Sequence, residues 1–337
     1  MNPSTAFARV LVDELVRAGV RHAVLSPGSR SAPVALAFAA EPRLTLHVRI
    51  DERSAGFFAL GVAVETGAPV AVVCTSGTAV ANLHPAVLEA SFAGVPLVLL
   101  TADRPPELRG TGANQTIDQT RIYGGAVRSA VEVGVPEHRI GAVAYWRSVT
   151  ARALAVATDA RHPGPVHLNL ALREPLVPDG DPVWPEPLDG PRPGAWTAVT
   201  APVTSPARID DVLGGPPTER GAVVLGHGAA DPREAAALAA ALGWPLLSEP
   251  SGNGGSGSVP AFALLLADPT FAAAMTPDVV IVVGKPGLSR SLMGWLAGAG
   301  RQVVVDPRPD WADPTRSAAV VVPGVPVPAI LEAPPRP

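Results

Sequence analysis

Short apolar runs alternate along this chain with stretches of helical periodicity, and that alternation sets the reading of its fold. The runs at 22–26 (HAVLS), 44–50 (LTLHVRI), 69–75 (PVAVVCT), 96–101 (PLVLLT) and 165–171 (PVHLNLA) end at polar or Gly/Pro positions and predict buried strands. Helical spacing fills the intervals at 31–40, 52–66, 78–93 and 137–160. A first helix opens at Asn2-Pro3, a cap followed by proline in the first turn, and puts Phe7, Val10, Leu11 and Leu15 on one face. Strands and helices in strict alternation predict a mainly parallel, doubly wound sheet over residues 1–176.

The pattern stops in a proline-rich stretch at 177–218, which cannot hold long helices or central strands and reads as a linker packed along the surface. Alternation resumes over 219–325. Strands are predicted at 221–226, 245–249, 278–284, 301–306 and 318–322, helices at 231–242 and 289–298, and a Gly/Ser loop at 251–258. This is a second, smaller Rossmann-like domain, followed by a proline-rich tail at 326–337. The fold class is therefore α/β, with two doubly wound, mainly parallel-sheet domains.

Composition narrows the function. Of 337 residues 47% are hydrophobic and 17% charged, enough to bury two cores. No apolar run approaches the roughly 18 to 20 residues that cross a bilayer, so no transmembrane segment is expected. Asp13 and Glu14 interrupt what would be the apolar part of a signal peptide, and a cytoplasmic protein is expected. The net charge of −4, with no basic stripe, gives nucleic-acid binding no support. Cys74 is the single cysteine and the histidines are scattered, so neither a disulfide nor a metal site within this chain is expected. Lys285 is the single lysine; the other basic side chains are arginines, whose planar forks grip carboxylates and phosphates.

Ligands of doubly wound sheets bind beyond the carboxyl ends of the strands. The loops there are 27–33, 51–53, 75–78 and 102–119. Each has a plain explanation alone. Glu52 opens a helix, where acidic residues favour the positive end of the dipole. Thr75-Ser76-Gly77-Thr78 is an ordinary strand-to-helix turn, as is Pro27-Gly28-Ser29-Arg30. The loop ADRPPELRGTGANQTIDQ is long and carries Arg104, Arg109, Asn114 and Gln115, and such loops are usually functional.

In combination, PGSRSAP, IDERSAGF, TSGTAVANL and ADRPPELRGTGANQ resemble the thiamine-diphosphate-dependent enzymes, and within them the menaquinone-pathway branch that joins 2-oxoglutarate to isochorismate. The resemblance is strong over 1–176 and continues more weakly to about residue 325. It implies that the first domain holds the cofactor's aminopyrimidine. Glu52 would be the catalytic carboxylate on the far ring nitrogen, favouring the imino tautomer that takes the thiazolium proton. Pro27, Gly28, Thr75, Ser76, Gly77 and Asn82 would share in cofactor binding; Thr78-Ala79 replaces the Pro-Gly more usual after the turn.

The two implied substrates carry four carboxylates between them. Ser29, Arg30, Arg104, Asn114 and Gln115 would meet their carboxylate and hydroxyl groups. Arg290 stands where the family extends an arginine into the site, next to Ser289 where some relatives carry lysine. The family holds the diphosphate and its Mg²⁺ (or Mn²⁺) in a further domain with Gly-Asp-Gly and a downstream Asn. Here Asp179-Gly180-Asp181 lies in the proline-rich stretch, so those ligands are expected from a domain outside this chain: truncated, separately encoded or lost. The family implies a homodimer or homotetramer.

Three rivals stand beside this reading: another 2-oxo acid decarboxylase or acetolactate-type synthase, a non-catalytic partner module, and a Rossmann dehydrogenase. The last would use GHGAA at 226–230, which lacks the third glycine of a dinucleotide fingerprint; Glu249 is the one acidic residue near the required spacing. Cys74 and Trp146 read as core.

Overall fold

The structure is a computed structural model and describes residues 1–180, 183–190, 193–200, 205–229 and 231–328. The chain divides into two compact units between residues 201 and 202.

The first unit runs α1 (Pro3–Arg17), β1 (His22–Leu25), α2 (Ala32–Ala39), β2 (Thr45–Val48), α3 (Glu52–Thr66), β3 (Val70–Cys74), α4 (Thr78–Asn82), α5 (His84–Ala93), β4 (Leu97–Asp103), β5 (Ser129–Val133), α6 (Ala142–Ala157) and β6 (Val166–Ala171). Its six strands lie in the order β2-β1-β3-β4-β6-β5, and every pairing is parallel. The central strands β3, β4 and β6 are buried throughout, which is why they read as unbroken apolar runs. One face of the sheet packs on α1, α2 and α6 through Phe7, Leu11, Leu15, Trp146 and Leu154. The other packs on α3, α4 and α5 through Ala59, Val80, Leu83 and Val87. The Asn2 side chain caps α1 by accepting from Thr5 N at 2.9 Å. Between α1 and α6 the fully buried Arg147 donates to Glu14 at 2.7 Å and to Asp13 at 2.7 Å, so this charge is inside but paired.

Three elements of this unit differ from the sequence expectation. The helix expected over 78–93 is two helices meeting at Leu83, because Pro85 has no N–H to donate and crowds the carbonyl four residues earlier. Strand β5 was not expected; SAVEV is a half-exposed edge strand with no apolar run to mark it. The helix expected from 137 begins at Ala142, after Gly141 at φ +86°. Its opening N–H groups, those of Gly141 and Val143, donate to the Glu186 carboxylate at 3.1 and 3.0 Å. The described part of the proline-rich stretch up to residue 200 thus belongs to the first unit, where Trp184 and Leu188 pack against the core.

The second unit runs α7 (Ile209–Leu213), β7 (Gly221–Leu225), α8 (Pro232–Leu242), β8 (Leu246–Ser248), α9 (Phe262–Leu265), α10 (Pro269–Ala274), β9 (Val279–Val283), α11 (Arg290–Ala297), β10 (Arg301–Val305) and β11 (Ala318–Val322). Its parallel sheet has the order β11-β10-β9-β7-β8. α7 falls inside the stretch read as linker, yet Ile209, Val212 and Leu213 are buried in this unit's core. The short helices α9 and α10 were not expected either. From residue 329 the proline-rich tail lies outside the described residues, as do 181–182, 191–192 and 201–204 of the linker. Among the described residues no helix is long and apolar enough to cross a membrane.

Candidate functional site

The carboxyl ends of β1, β3 and β4 bring most of the sequence-selected residues of the first unit together. β1 ends in Ser26-Pro27-Gly28-Ser29-Arg30. Gly28 has no room for a side chain: a Cβ there would lie 2.2 Å from the Thr75 Cβ, so the first loop rests on the end of β3. Pro27 and Ser29 are exposed, whereas Arg30 turns inward and is only 9% exposed. Its Nη1 donates to Leu172 O at 3.0 Å, its Nη2 is 3.9 Å from the exposed Glu174 carboxylate, and its Nε is buried with no partner. Burial, and after it the like charge of Arg104, hold the Arg30 guanidinium below its ordinary pKa.

After β3, the Thr75-Ser76-Gly77 turn is buried and clasped by the long loop that follows β4. The Ser76 hydroxyl accepts from Arg104 Nη1 at 2.7 Å and donates to Gln115 O at 3.0 Å, while Gln115 Nε2 donates back to Ser76 O at 3.0 Å. Arg104 Nη2 donates to Asn114 O at 2.8 Å. Gln115 holds a left-handed φ of +55°, a strained geometry for a non-glycine residue that the reciprocal bonds to Ser76 fix in place. Gly77, at φ +85°, lets the turn pass within 3.1 Å of the Gln115 carbonyl oxygen, measured to an added Cβ. Arg109 braces the same loop, donating to Arg104 O at 3.0 Å and pairing with the buried Asp103 at 2.7 Å.

Beneath this turn lies a polar network that the sequence reading did not single out. Gln119 Oε1 accepts from Gly77 N at 2.9 Å, and its Nε2 donates to Ala102 O at 3.1 Å and Asn169 Oδ1 at 2.9 Å. Asn169 Nδ2 in turn donates to Asp103 at 2.8 Å and Glu132 at 2.9 Å. Thr101 donates to Asn169 Oδ1 at 2.9 Å and stands 2.7 Å from His167 Nε2. With the threonine proton so used, the imidazole donates from Nε2. Burial pushes His167 down to about 4. The one sequence signal for this network was polar side chains, His167 and Asn169, inside an otherwise apolar strand.

Glu52 is the first residue of α3, after Asp51, whose carboxylate caps the helix by accepting from Ser54 N at 2.8 Å. The cap is therefore Asp51, which frees Glu52 from that duty. Glu52 is half-buried, and among the described residues its carboxylate has no hydrogen bond or ion pair. It lies close enough to the end of β3 to act on Cys74, whose thiol is pushed up first by burial and then by the Glu52 charge. Asn82, the last residue of α4, is exposed.

In the second unit Arg290 is exposed on the first turn of α11. The loop before it is already held by a carboxylate: the buried Glu249 accepts from Gly287, Leu288 and Ser289 N–H groups at 3.0, 2.8 and 3.1 Å. Glu249 is thus a structural latch. The first glycine of GHG also has a structural explanation. A Cβ on Gly226 would lie 2.3 Å from the Lys285 carbonyl carbon, and His227 and Lys285 exchange backbone hydrogen bonds at 2.9 and 2.8 Å.

The first unit thus offers two guanidinium groups near one another, one with an unused buried donor, a hydrogen-bonded turn after β3, and an unengaged carboxylate that acts on the end of β3. Such a set suits a ligand with several carboxylates next to a nitrogen base. Residues 5–122 match the family described as thiamine pyrophosphate enzyme, N-terminal TPP binding domain. Residues 195–324 match the one described as middle domain of thiamine pyrophosphate. The chain is 55% identical over 330 residues to a 2-succinyl-5-enolpyruvyl-6-hydroxy-3-cyclohexene-1-carboxylate synthase of Thermobifida fusca, covering 97% of this chain and 59% of that protein. It is 52% identical to the protein of that name from Saccharopolyspora erythraea, over 90% of this chain and 55% of the relative. For Mycobacterium bovis the figures are 44%, 98% and 60%. The chain spans little more than half the length of these curated relatives.

Proposed function

The chain belongs to the thiamine pyrophosphate enzymes, of which it carries the N-terminal and middle domains in that order, and we propose that it serves the reaction named by its relatives, 2-succinyl-5-enolpyruvyl-6-hydroxy-3-cyclohexene-1-carboxylate synthesis. In this reading 2-oxoglutarate is decarboxylated and the fragment is added to isochorismate, a carbon–carbon bond formation of menaquinone synthesis in the cytoplasm.

The observation that carries the reading is the paired placement of Arg30 and Arg104, with Arg30 Nε buried and unpartnered. An orphaned buried guanidinium N–H costs free energy until an acceptor arrives, and a dicarboxylate brings several. Ser29, Asn114 and Gln115 border the same loops and complete the proposed substrate contacts of the first unit.

The residues present fit the pyrimidine half of thiamine diphosphate. Glu52 has a free carboxylate for a ring nitrogen, and the close-packed Gly28, Thr75, Ser76 and Gly77 give a backbone wall against which a flat ring can rest. Pro27 and Asn82 are part of the same proposed cofactor contacts. When bound, the cofactor supplies the carbanion chemistry, and the protein supplies orientation and electrostatics. Glu52 holds or gives up a proton at the ring nitrogen, Arg30 and Arg104 orient the acidic substrates, and the clasped 104–119 loop keeps the turn fixed. We assign the diphosphate and Mg²⁺ ligands to the part of the relatives' length that this chain does not span.

A homodimer or homotetramer is part of the same proposal. It is supported by exposed apolar side chains on neighbouring helices, Phe57 and Val64 on α3 and Leu88 and Phe92 on α5, which an isolated unit would leave in water.

The test joins this chain to the remaining length of the Thermobifida fusca relative and measures CO₂ release. Turnover of 2-oxoglutarate with isochorismate, lost in Arg30→Ala, is expected. Preference for pyruvate, unchanged in Arg30→Ala, would instead favour an acetolactate-type synthase.

A further inference from the structure

The second unit contains a cavity of about 280 Å³ that the proposed reaction does not use. It lies at the amino-terminal edge of the sheet, where Gly221 and Ala222 begin β7 and Pro245 precedes β8, under α9, α10 and α11. The Arg290 loop follows the opposite, carboxyl-terminal edge.

Its walls are apolar and ring-rich. Ala222 and Leu247 form the floor, and Phe262, Phe271, Met275 and Trp295 surround it. Of the polar side chains that line it, Glu219 is exposed to solvent, Trp295 Nε1 donates to Met275 O at 3.2 Å, and Arg220 Nη2 donates to Ala274 O and Thr276 O at 3.0 and 2.8 Å. An anionic ligand would meet the Glu219 carboxylate, and a strongly hydrogen-bonding one would exchange its hydration for mostly apolar walls. The covering helix α10 buries none of its own residues; Phe271 and Met275 lie over the cavity yet stay 38% and 50% exposed. Apolar cavities of about 150 Å³ already take up benzene, and ligand pockets begin near roughly 300 Å³. The volume here matches a molecule of one or two fused rings.

We propose that this cavity is a binding site for an uncharged, ring-bearing small molecule, held by aromatic and thioether contacts and covered by α10. Binding buries Phe271 and Met275 and orders the helix above them. The site is independent of the thiamine reading.

Titration of the chain with indene, followed by the NMR signal of the Trp295 indole N–H, tests this. A saturable shift is expected, with affinity at least about tenfold lower in Ala222→Leu and in Ala274→Trp, which fill the cavity from the sheet and from the exposed helix end. The Ala274→Trp site is exposed, so that variant keeps its fold even if Ala222→Leu does not. Absence of a saturable shift in the wild-type chain, or unchanged affinity in a folded Ala274→Trp variant, overturns the proposal.

Discussion

Asn169 uses its whole amide inside the protein: Oδ1 accepts from Thr101 and Gln119, and Nδ2 donates to Asp103 and Glu132. Gln119 links that amide to the Gly77 N–H of the turn. Gln119→Ala would leave the Gly77 N–H without its acceptor and remove one of the two Asn169 Oδ1 donors. Each buried group so stranded costs about 1–3 kcal/mol, so a loss of about 2–4 kcal/mol is expected in urea unfolding. An effect below about 0.5 kcal/mol, the usual range for surface substitutions, would mean the network is wet and weak. His167 makes a pH prediction. Its folded pKa, about 4, is below the ordinary 6.5, so the unfolded chain binds the extra proton. Its contribution is therefore fully present above pH 6.5 and is lost as pH falls toward 4, by up to about 3 kcal/mol. Urea midpoints measured across that window should fall in the wild type and flatten in His167→Gln; parallel slopes would contradict the assignment.

At the scale of elements, the loop after β1 and the end of β3 are fitted to one another at Gly28 and Thr75. Gly28→Ala should cost at least about 2 kcal/mol through overpacking, and Thr75→Gly in the same chain should recover part of it. Strict additivity of the two in thermal melts would show that they do not meet. This contact also marks the limit of what the sequence reveals. Strands β3, β4 and β6 are legible because burial on both faces forces unbroken apolar runs. Edge strand β5 has no such constraint and stays invisible, and the break before Pro85 falls inside a stretch read as one helix. The candidate site was legible as motifs, since Glu52, Thr75-Ser76-Gly77 and the 102–119 loop all stand at strand ends. Their mutual engagement was not. That Arg104, Asn114 and Gln115 spend hydrogen bonds on the turn itself depends on tertiary closure, as does the role of Gln119.

At the scale of the molecule, two parallel-sheet units follow one another, as the N-terminal and middle thiamine pyrophosphate domains do. The first offers an unengaged carboxylate and two neighbouring arginines, and the second carries a separate apolar cavity. Glu52 is where the proposed chemistry is most exposed to test, because its structural duty as helix cap is taken by Asp51. Replacing it with glutamine keeps size and polarity while removing the charge. In the chain joined to the remaining length of its Thermobifida fusca relative, Glu52→Gln should lower CO₂ release from 2-oxoglutarate by at least about 100-fold, in the range expected for loss of a positioned proton-handling group. Its melting temperature should stay within a few degrees of wild type. Release that continues at the wild-type rate would contradict the assignment of Glu52, and with it the reading of this site.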